Sequence, residues 1–367
     1  GLMNGAAIGR LSDELGSELA IMKGRVDGLE ARVNGIEAGS FSDTTTMGGT
    51  AGFLIGATDS ASDANDKVMM EYFYEVDLNT SFTGEDKLNI EIETGNHPGI
   101  GVGADKVGLD WGSDNGDTLK VSDVNYTFPL GGWTVAVGDS MDASKTWPNA
   151  CAVNNMVDNL GDCGAANSVD LSGDVSLSAS TEFGDGWELG LGISADSGET
   201  SRGIFTNEGD DYYGIAIGYE RDTFGFTAAY SMKESTTIAN STTGWVQSDN
   251  ASQKDTTYYG LVGYYSPEST PLTLSGGIEL SDIEGTNTDK TQWTVGVSTD
   301  LGEGTLSATF GTNGAIAENA EEIYAYDLSY EYPINDSMSI TPFVYVSETT
   351  GSTTDTTGAG AFVSFSF

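Results

Sequence analysis

Short stretches of the sequence between Phe41 and the C terminus alternate apolar and polar residues with a period of two. Met70 and Tyr72, for example, flank Glu71, and Glu75 continues the polar series. This period is typical of β-strands, whose successive side chains point to opposite faces. The polar face carries carboxylates, and unpaired carboxylates in a dry core cost several kcal/mol each. The strands must therefore present one face to an apolar medium and the other to water.

The lengths of the connections divide into two alternating classes. Short connections fall at 129–132, 184–186, 221–223, 302–304 and 333–336. Long polar connections fall near 56–66, 96–117, 142–168, 197–210, 233–255, 283–290, 312–321 and 349–357. Short turns on one rim and long loops on the other are the arrangement of outer-membrane barrels. Counting segments of about ten residues predicts an all-β fold, a barrel of sixteen antiparallel transmembrane strands over residues 41–367.

The last strand supports closure of this barrel. Val363, Phe365 and Phe367 alternate with Ser364 and Ser366. An unpaired strand edge is too costly in hydrocarbon, so this segment should pair with the first strand.

Charge and composition exclude two classes of function. The chain has 14 basic and 56 acidic residues, a formal net charge of −42, so no basic surface for nucleic acid can form. The single histidine, His97, has no patterned Ser or Asp partner, and we therefore predict that the protein is not an enzyme and needs no cofactor.

The N-terminal segment has a different period. Apolar residues between Ile8 and Ile36 follow heptad spacing, which predicts a periplasmic coiled-coil helix over residues 1–40 that assembles a homotrimer. A single amphipathic helix lying on its own barrel is the alternative. The residues assigned to trimerisation are Leu19, Met22, Arg25, Val26, Leu29, Glu30, Arg32, Val33, Ile36 and Glu37.

The loop 142–168 is the candidate constriction of the pore. Cys151 and Cys163 lie in its Gly- and Asn-rich middle, where a disulfide would stiffen it, with two free thiols as the alternative. A surface loop outside the lumen is the alternative to a constriction. The candidate lining residues are Lys145, Trp147, Asn149, Asn154, Asn155, Asp158 and Asp162.

Acidic residues dominate the predicted inward face. Such a pore concentrates cations and repels anions, so we predict a cation preference. The predicted pore-lining acids are Glu71, Glu75, Glu91, Glu93, Asp174, Glu182, Glu279, Asp327 and Glu331. Acidic loops such as 59–66, 114–117 and 282–289 offer oxygen ligands for Ca²⁺ or Mg²⁺, but none matches an EF-hand loop and solvated acidic loops are the favoured interpretation.

One stretch resembles a known family. Residues 22–49, MKGRVDGLEARVNGIEAGSFSDTTTMGG, followed by sixteen glycine-rich strands ending in Phe, resemble cyanobacterial outer-membrane porins of the S-layer-homology type, which are related to OprB-like carbohydrate-selective porins. The resemblance implies a homotrimeric channel for inorganic ions, iron or carbohydrate in the outer membrane of a cyanobacterium, in contact with lipid and lipopolysaccharide. Members carry an S-layer-homology domain before the coil that binds the cell wall at peptidoglycan. Residues 1–14 do not match that domain, so the wall tether is expected to be either cleaved or absent here.

Overall fold

A computed structural model describes residues 44–59, 67–96, 115–196, 198–200, 203–206, 210–234, 255–284, 289–351 and 353–367. The predicted coiled coil of residues 1–40 lies outside these ranges. The strands are β1 Thr45–Asp59, β2 Met69–Thr80, β3 Lys87–Gly95, β4 Lys120–Leu130, β5 Trp133–Asp139, β6 Val175–Phe183, β7 Trp187–Asp196, β8 Asp210–Arg221, β9 Phe224–Lys233, β10 Thr256–Tyr265, β11 Leu272–Ile283, β12 Lys290–Leu301, β13 Gly304–Thr312, β14 Ile316–Ala317, β15 Tyr324–Asn335, β16 Met338–Ser347 and β17 Thr356–Ser366.

The sheet is a closed antiparallel barrel. Sixteen long strands form its wall, and the two-residue β14 adds to the edge of β12. The last strand closes on the first in continuous register, from Thr50 opposite Ser366 to Asp59 opposite Thr357. Closure leaves no unpaired edge in the wall, and the predicted role of the C-terminal strand is confirmed.

The two rims differ as the connection lengths predicted. Connections of two to six residues alternate with connections of six residues or more, and the first set is 81–86, 131–132, 184–186, 222–223, 266–271, 302–303 and 336–337. The two-residue turn between β4 and β5 places Gly131 and Gly132 at φ of 59° and 88°, a conformation that glycine adopts without steric cost. Because the number of long strands is even, β1 begins and β17 ends at the short-turn rim.

The outer surface of the barrel is an apolar band bordered on both sides by aromatic side chains. Outward side chains such as Ile55 and Leu261 are about half exposed, at 52% and 51%. Near the short-turn rim Trp187 packs on Tyr219 with ring centroids 4.8 Å apart. Near the long-loop rim Trp293 packs on Phe310 at 5.1 Å. Two aromatic rows around an apolar band match the interfaces of a lipid bilayer. No helix among the described residues is long and apolar enough to span a membrane.

Candidate pore and its constriction loop

The segment 140–174, between β5 and β6, folds into the barrel. It contains a 3₁₀ segment, Asp158–Gly164, and a short helix, Ala166–Val169. Cys151 and Cys163 form a disulfide with their Cα atoms 5.6 Å apart. We call 140–174 the inner loop, residues 144–157 its outgoing limb and residues 158–171 its return limb.

The outgoing limb runs around the inner wall and bonds to one strand after another. The Thr146 amide donates to Ser178 Oγ on β6 (3.1 Å), and the Ala150 amide donates to Thr227 Oγ1 on β9 (3.1 Å). The Ala152 amide then donates to Ser275 Oγ on β11 (2.9 Å). In this way short Ser and Thr side chains on the wall satisfy backbone groups of an extended segment that pairs with no strand.

The return limb lies against the same wall. Gln292 of β12 donates to the Asn159 carbonyl (2.9 Å), and Ser231 of β9 donates to the Ser168 carbonyl (3.0 Å). The start of the inner loop meets the end of the return limb where the Ala143 amide donates to the Leu171 carbonyl (2.7 Å). Both limbs therefore lie against the inward-facing side of the wall.

Glycines on the wall make room for the inner loop. A Cβ on Gly190 would lie 2.7 Å from Cγ and Cδ1 of Trp147, and one on Gly277 would lie 2.9 Å from the Cys163 carbonyl oxygen. Both glycines are inward positions of ordinary strands. These contacts between wall glycines and the inner loop were not predicted from the sequence. The pattern that indicates them is a run of small residues (Gly, Ala and Ser) at inward positions of β7–β11.

Two apolar clusters fasten the loop. One contains Trp147, Val169 and Leu171 of the loop with wall residues such as Tyr212. The other contains the loop residues Met156, Val157 and Leu160 against the following wall residues: Leu54, Ala325, Phe343 and Tyr345. Trp147 was predicted to line the pore, but it is only 8% exposed. Its ring packs against glycines of the wall because the hydrophobic effect favours contact with wall over contact with water.

The remaining predicted lining residues of the loop divide by exposure. Lys145, Asn149, Asn154 and Asp158 are exposed, whereas Asn155 and Asp162 are half-buried. Lys145 Nζ lies 3.3 Å from Asp123 Oδ2 and so joins the loop to β4.

The predicted acids fall in three environments. Glu279 and Asp327 are 2% and 5% exposed, because the inner loop covers them. They therefore do not face the open lumen as predicted, and loop amides and a hydroxyl donate to them. Glu71 is also buried, and its carboxylate lies near Tyr345.

Acids near the ends of the barrel keep access to water. Glu182 lines a cavity of about 210 Å³ beneath the loop with Asn149 and Glu188. Glu331 lines a cavity of about 550 Å³ at the short-turn rim. Asp174 precedes β6, and its backbone carbonyl accepts the Met141 amide.

Neighbouring strands β2, β3 and β4 carry an ordered patch of polar side chains, which we call the acidic arc. Strand register places its inward residues in three rows: Glu75, Glu93 and Lys120; Asp77, Glu91 and Asp123; Asn79, Asn89 and Asn125. The carboxylate oxygens of Glu75, Glu91 and Glu93 lie within 4.8 Å of one another. Such a group can attract a cation, and Lys120 Nζ lies 2.8 Å from Glu93 in partial compensation.

The inner loop adds carboxyl groups that titrate near neutrality. Desolvation inside the barrel and the nearby Asp170 carboxylate raise the pKa of Asp142 to about 6. The same two causes raise the pKa of Asp162 to about 6. The positive charge of Lys145 lowers the pKa of Asp142 and so opposes these two causes.

Comparison with known proteins agrees with this geometry. Residues 219–367 match the family model of Gram-negative porins. The C-terminal part of the chain is therefore similar to Gram-negative porins. An uncharacterised protein of Nostoc sp. is 27% identical over 395 residues, covering 92% of this chain and 68% of the relative. This similarity and the closed barrel support an outer-membrane channel for solute diffusion rather than an enzyme.

Solved porins share the fold. The anion-selective porin from Comamonas acidovorans superposes with a TM-score of 0.60 at 11% identity, over 88% of this chain and 99% of that one. A mutant of the porin from Rh. blastica superposes with a TM-score of 0.53 at 13% identity, over 88% of this chain and 100% of that one. At such low identity the likeness concerns the fold alone.

Proposed function

We propose that this protein is a porin, a passive diffusion channel that prefers cations. The observation that carries the proposal is the acidic arc. Its two rows that contain carboxylates hold five of them and one ammonium group, that of Lys120. Fixed negative charge on a pore wall raises the local cation concentration when the pore is no wider than about one Debye length, ~8–10 Å.

The inner loop shapes the path that solutes take. It occupies the wall from β6 to β15 and is joined to the arc by Lys145. Permeating ions would therefore pass between the loop and the arc, close to Glu75 and Glu91.

The reversal potential of single channels in planar bilayers under a KCl gradient tests this proposal. We expect a cation-biased potential in the native protein and a bias reduced severalfold in the triple variant Glu75→Gln, Glu91→Gln, Glu93→Gln. Glu268→Gln, an exposed carboxylate in the β10–β11 turn, is the matched control and should leave the bias unchanged. Anion selectivity in the native protein would refute the proposal, and so would a triple variant with the native potential.

Inorganic ions fit this pore better than sugars do. A carbohydrate channel stacks sugars on exposed rings. The inward rings of Phe73, Phe343 and Tyr345 are buried, at 9%, 3% and 1% exposure. Divalent cations, which prefer carboxylate oxygens, are solutes that the Glu75–Glu91–Glu93 group could attract. The acidic long loops could hold Ca²⁺ or Mg²⁺, but most of their residues lie outside the described ranges.

We further propose a homotrimer in the outer membrane, with the N-terminal coil in the periplasm. The heptads of residues 8–36 and the resemblance to cyanobacterial porins support it. Contacts with lipopolysaccharide, and with peptidoglycan through a domain upstream of the coil, belong to the same proposal. Chemical cross-linking of the native and Leu29→Lys chains tests the assembly: we expect trimers of the first and fewer of the second. Monomers from the native chain would refute a coil-directed trimer.

A further inference from the structure

Two buried carboxylates on the wall receive hydrogen bonds from the inner loop. Asp327 Oδ2 on β15 accepts the backbone amides of Met156 (2.7 Å) and Val157 (3.0 Å). These two residues lie within the ring that the disulfide closes between Cys151 and Cys163.

The second carboxylate holds the part of the loop that follows Cys163, outside the disulfide ring. Glu279 Oε2 on β11 accepts both the backbone amide and the hydroxyl of Ser168, each at 2.7 Å. Its Oε1 accepts the amide group of Asn167 at 3.0 Å. Lys233 donates to the carbonyl oxygen of the same Asn167 side chain at 3.1 Å, so the return limb is bound by an acid and a base together.

We infer that Asp327 and Glu279 are positioning residues that hold the inner loop against the wall. Asp327 holds the part inside the disulfide ring, and Glu279 holds the part that follows it. Hydrogen bonds to an ionised acceptor are about twice as strong as those between neutral groups. Both carboxylates are almost fully buried, where bonds to charged groups are little weakened by water. The two carboxylates therefore fix the shape of the loop and contribute little to the charge that a permeating ion meets.

The inference depends on the proposed channel only for what the loop does, because the attachment of the loop can be measured without ion flow. Val157 and Val169 are 0% and 2% exposed. A cysteine at either site, in the folded barrel with its native disulfide intact, should react with a maleimide only when that part of the loop leaves the wall. Val157→Cys reports on the disulfide ring, and Val169→Cys reports on the return limb.

Each anchor should release its own part of the loop. Asp327→Ala is expected to accelerate labelling at position 157 by about tenfold or more, the factor that corresponds to losing one charge-assisted bond, with a much smaller change at 169. Glu279→Ala should do the reverse. Asp327→Asn, which retains an acceptor oxygen, should have an intermediate effect and serves if the alanine variant does not fold.

Glu331→Ala is the matched control. Glu331 lies on the same strand and face as Asp327 but is exposed, and its removal should leave both labelling rates unchanged. Native labelling rates in both anchor variants would overturn the inference. Equal acceleration at both sites by either anchor would also overturn it, since that result describes a general loosening of the barrel. A protein that fails to conduct ions but shows the site-specific pattern would contradict the channel and leave the anchors intact.

Discussion

The close packing of the inner loop against the wall can be tested by adding one methyl group to a wall glycine. In Gly190→Ala the new Cβ would lie 2.7 Å from Cγ and Cδ1 of Trp147 and 3.2 Å from Cδ of Pro148. Carbon atoms in contact are about 3.5 Å apart or more, so the Trp147 ring must withdraw by roughly 0.8 Å. The ring cannot turn aside, because its other edges meet Gly192 and Gly214.

The cost of this displacement follows from packing. A gap of 0.5–1 Å forfeits about a quarter to a half of each lost contact's attraction, and overpacking of a filled site typically costs about 1–3 kcal/mol. We therefore expect Gly190→Ala to lower the free energy of unfolding by roughly that amount and to alter single-channel conductance. The first is measured by thermal unfolding followed by electrophoretic mobility, the second in planar bilayers.

Gly48→Ala is the control for this experiment. Gly48 also lies in a barrel strand, but a Cβ there meets only the Phe367 carbonyl oxygen, at an ordinary 3.5 Å. Its stability should equal the native value or exceed it slightly, because alanine restricts the unfolded chain. If Gly190→Ala matched the native protein in both stability and conductance, the loop would not rest on this glycine and the argument from packing would fail.

Three further predictions concern charge and the disulfide. Asp142 and Asp162 have raised pKa values of about 6, so both are ionised at pH 7.5 and protonated at pH 5; cation preference measured by reversal potential should fall across this range, and less so in Asp142→Asn. Lys145→Gln should increase cation preference, because it removes a positive charge beside the acidic arc; an unchanged potential would place Lys145 outside the ion path. Replacing Cys151 and Cys163 by Ser should lower the free energy of unfolding by about 2–3 kcal/mol, because the unfolded chain gains entropy. Conductance should change little, since hydrogen bonds hold the loop on each side of the disulfide. A large change in conductance would show that the disulfide itself sets the pore.

The sequence determines the barrel well because the relevant signals are local. Alternation assigns Glu71, Phe73 and Glu75 to one face of β2, and the structure agrees. Connection lengths give the two rims, and the terminal aromatic strand predicts the β1–β17 closure. Each of these signals depends on neighbours within about ten residues, so a single chain reveals them.

The environment of an inward carboxylate depends on contacts that alternation does not encode. Asp327 and Glu331 share strand, face and charge, yet one is buried and bonded to the inner loop while the other is exposed. The difference arises from Met156, which is 171 residues away in sequence. Period-two patterning states only that a side chain points inward, and it cannot distinguish an inward position under a loop from one that faces water. For the proposed cation preference, the carboxylates to substitute first are therefore Glu75, Glu91 and Glu93 of the acidic arc, which are half-buried, rather than every inward carboxylate.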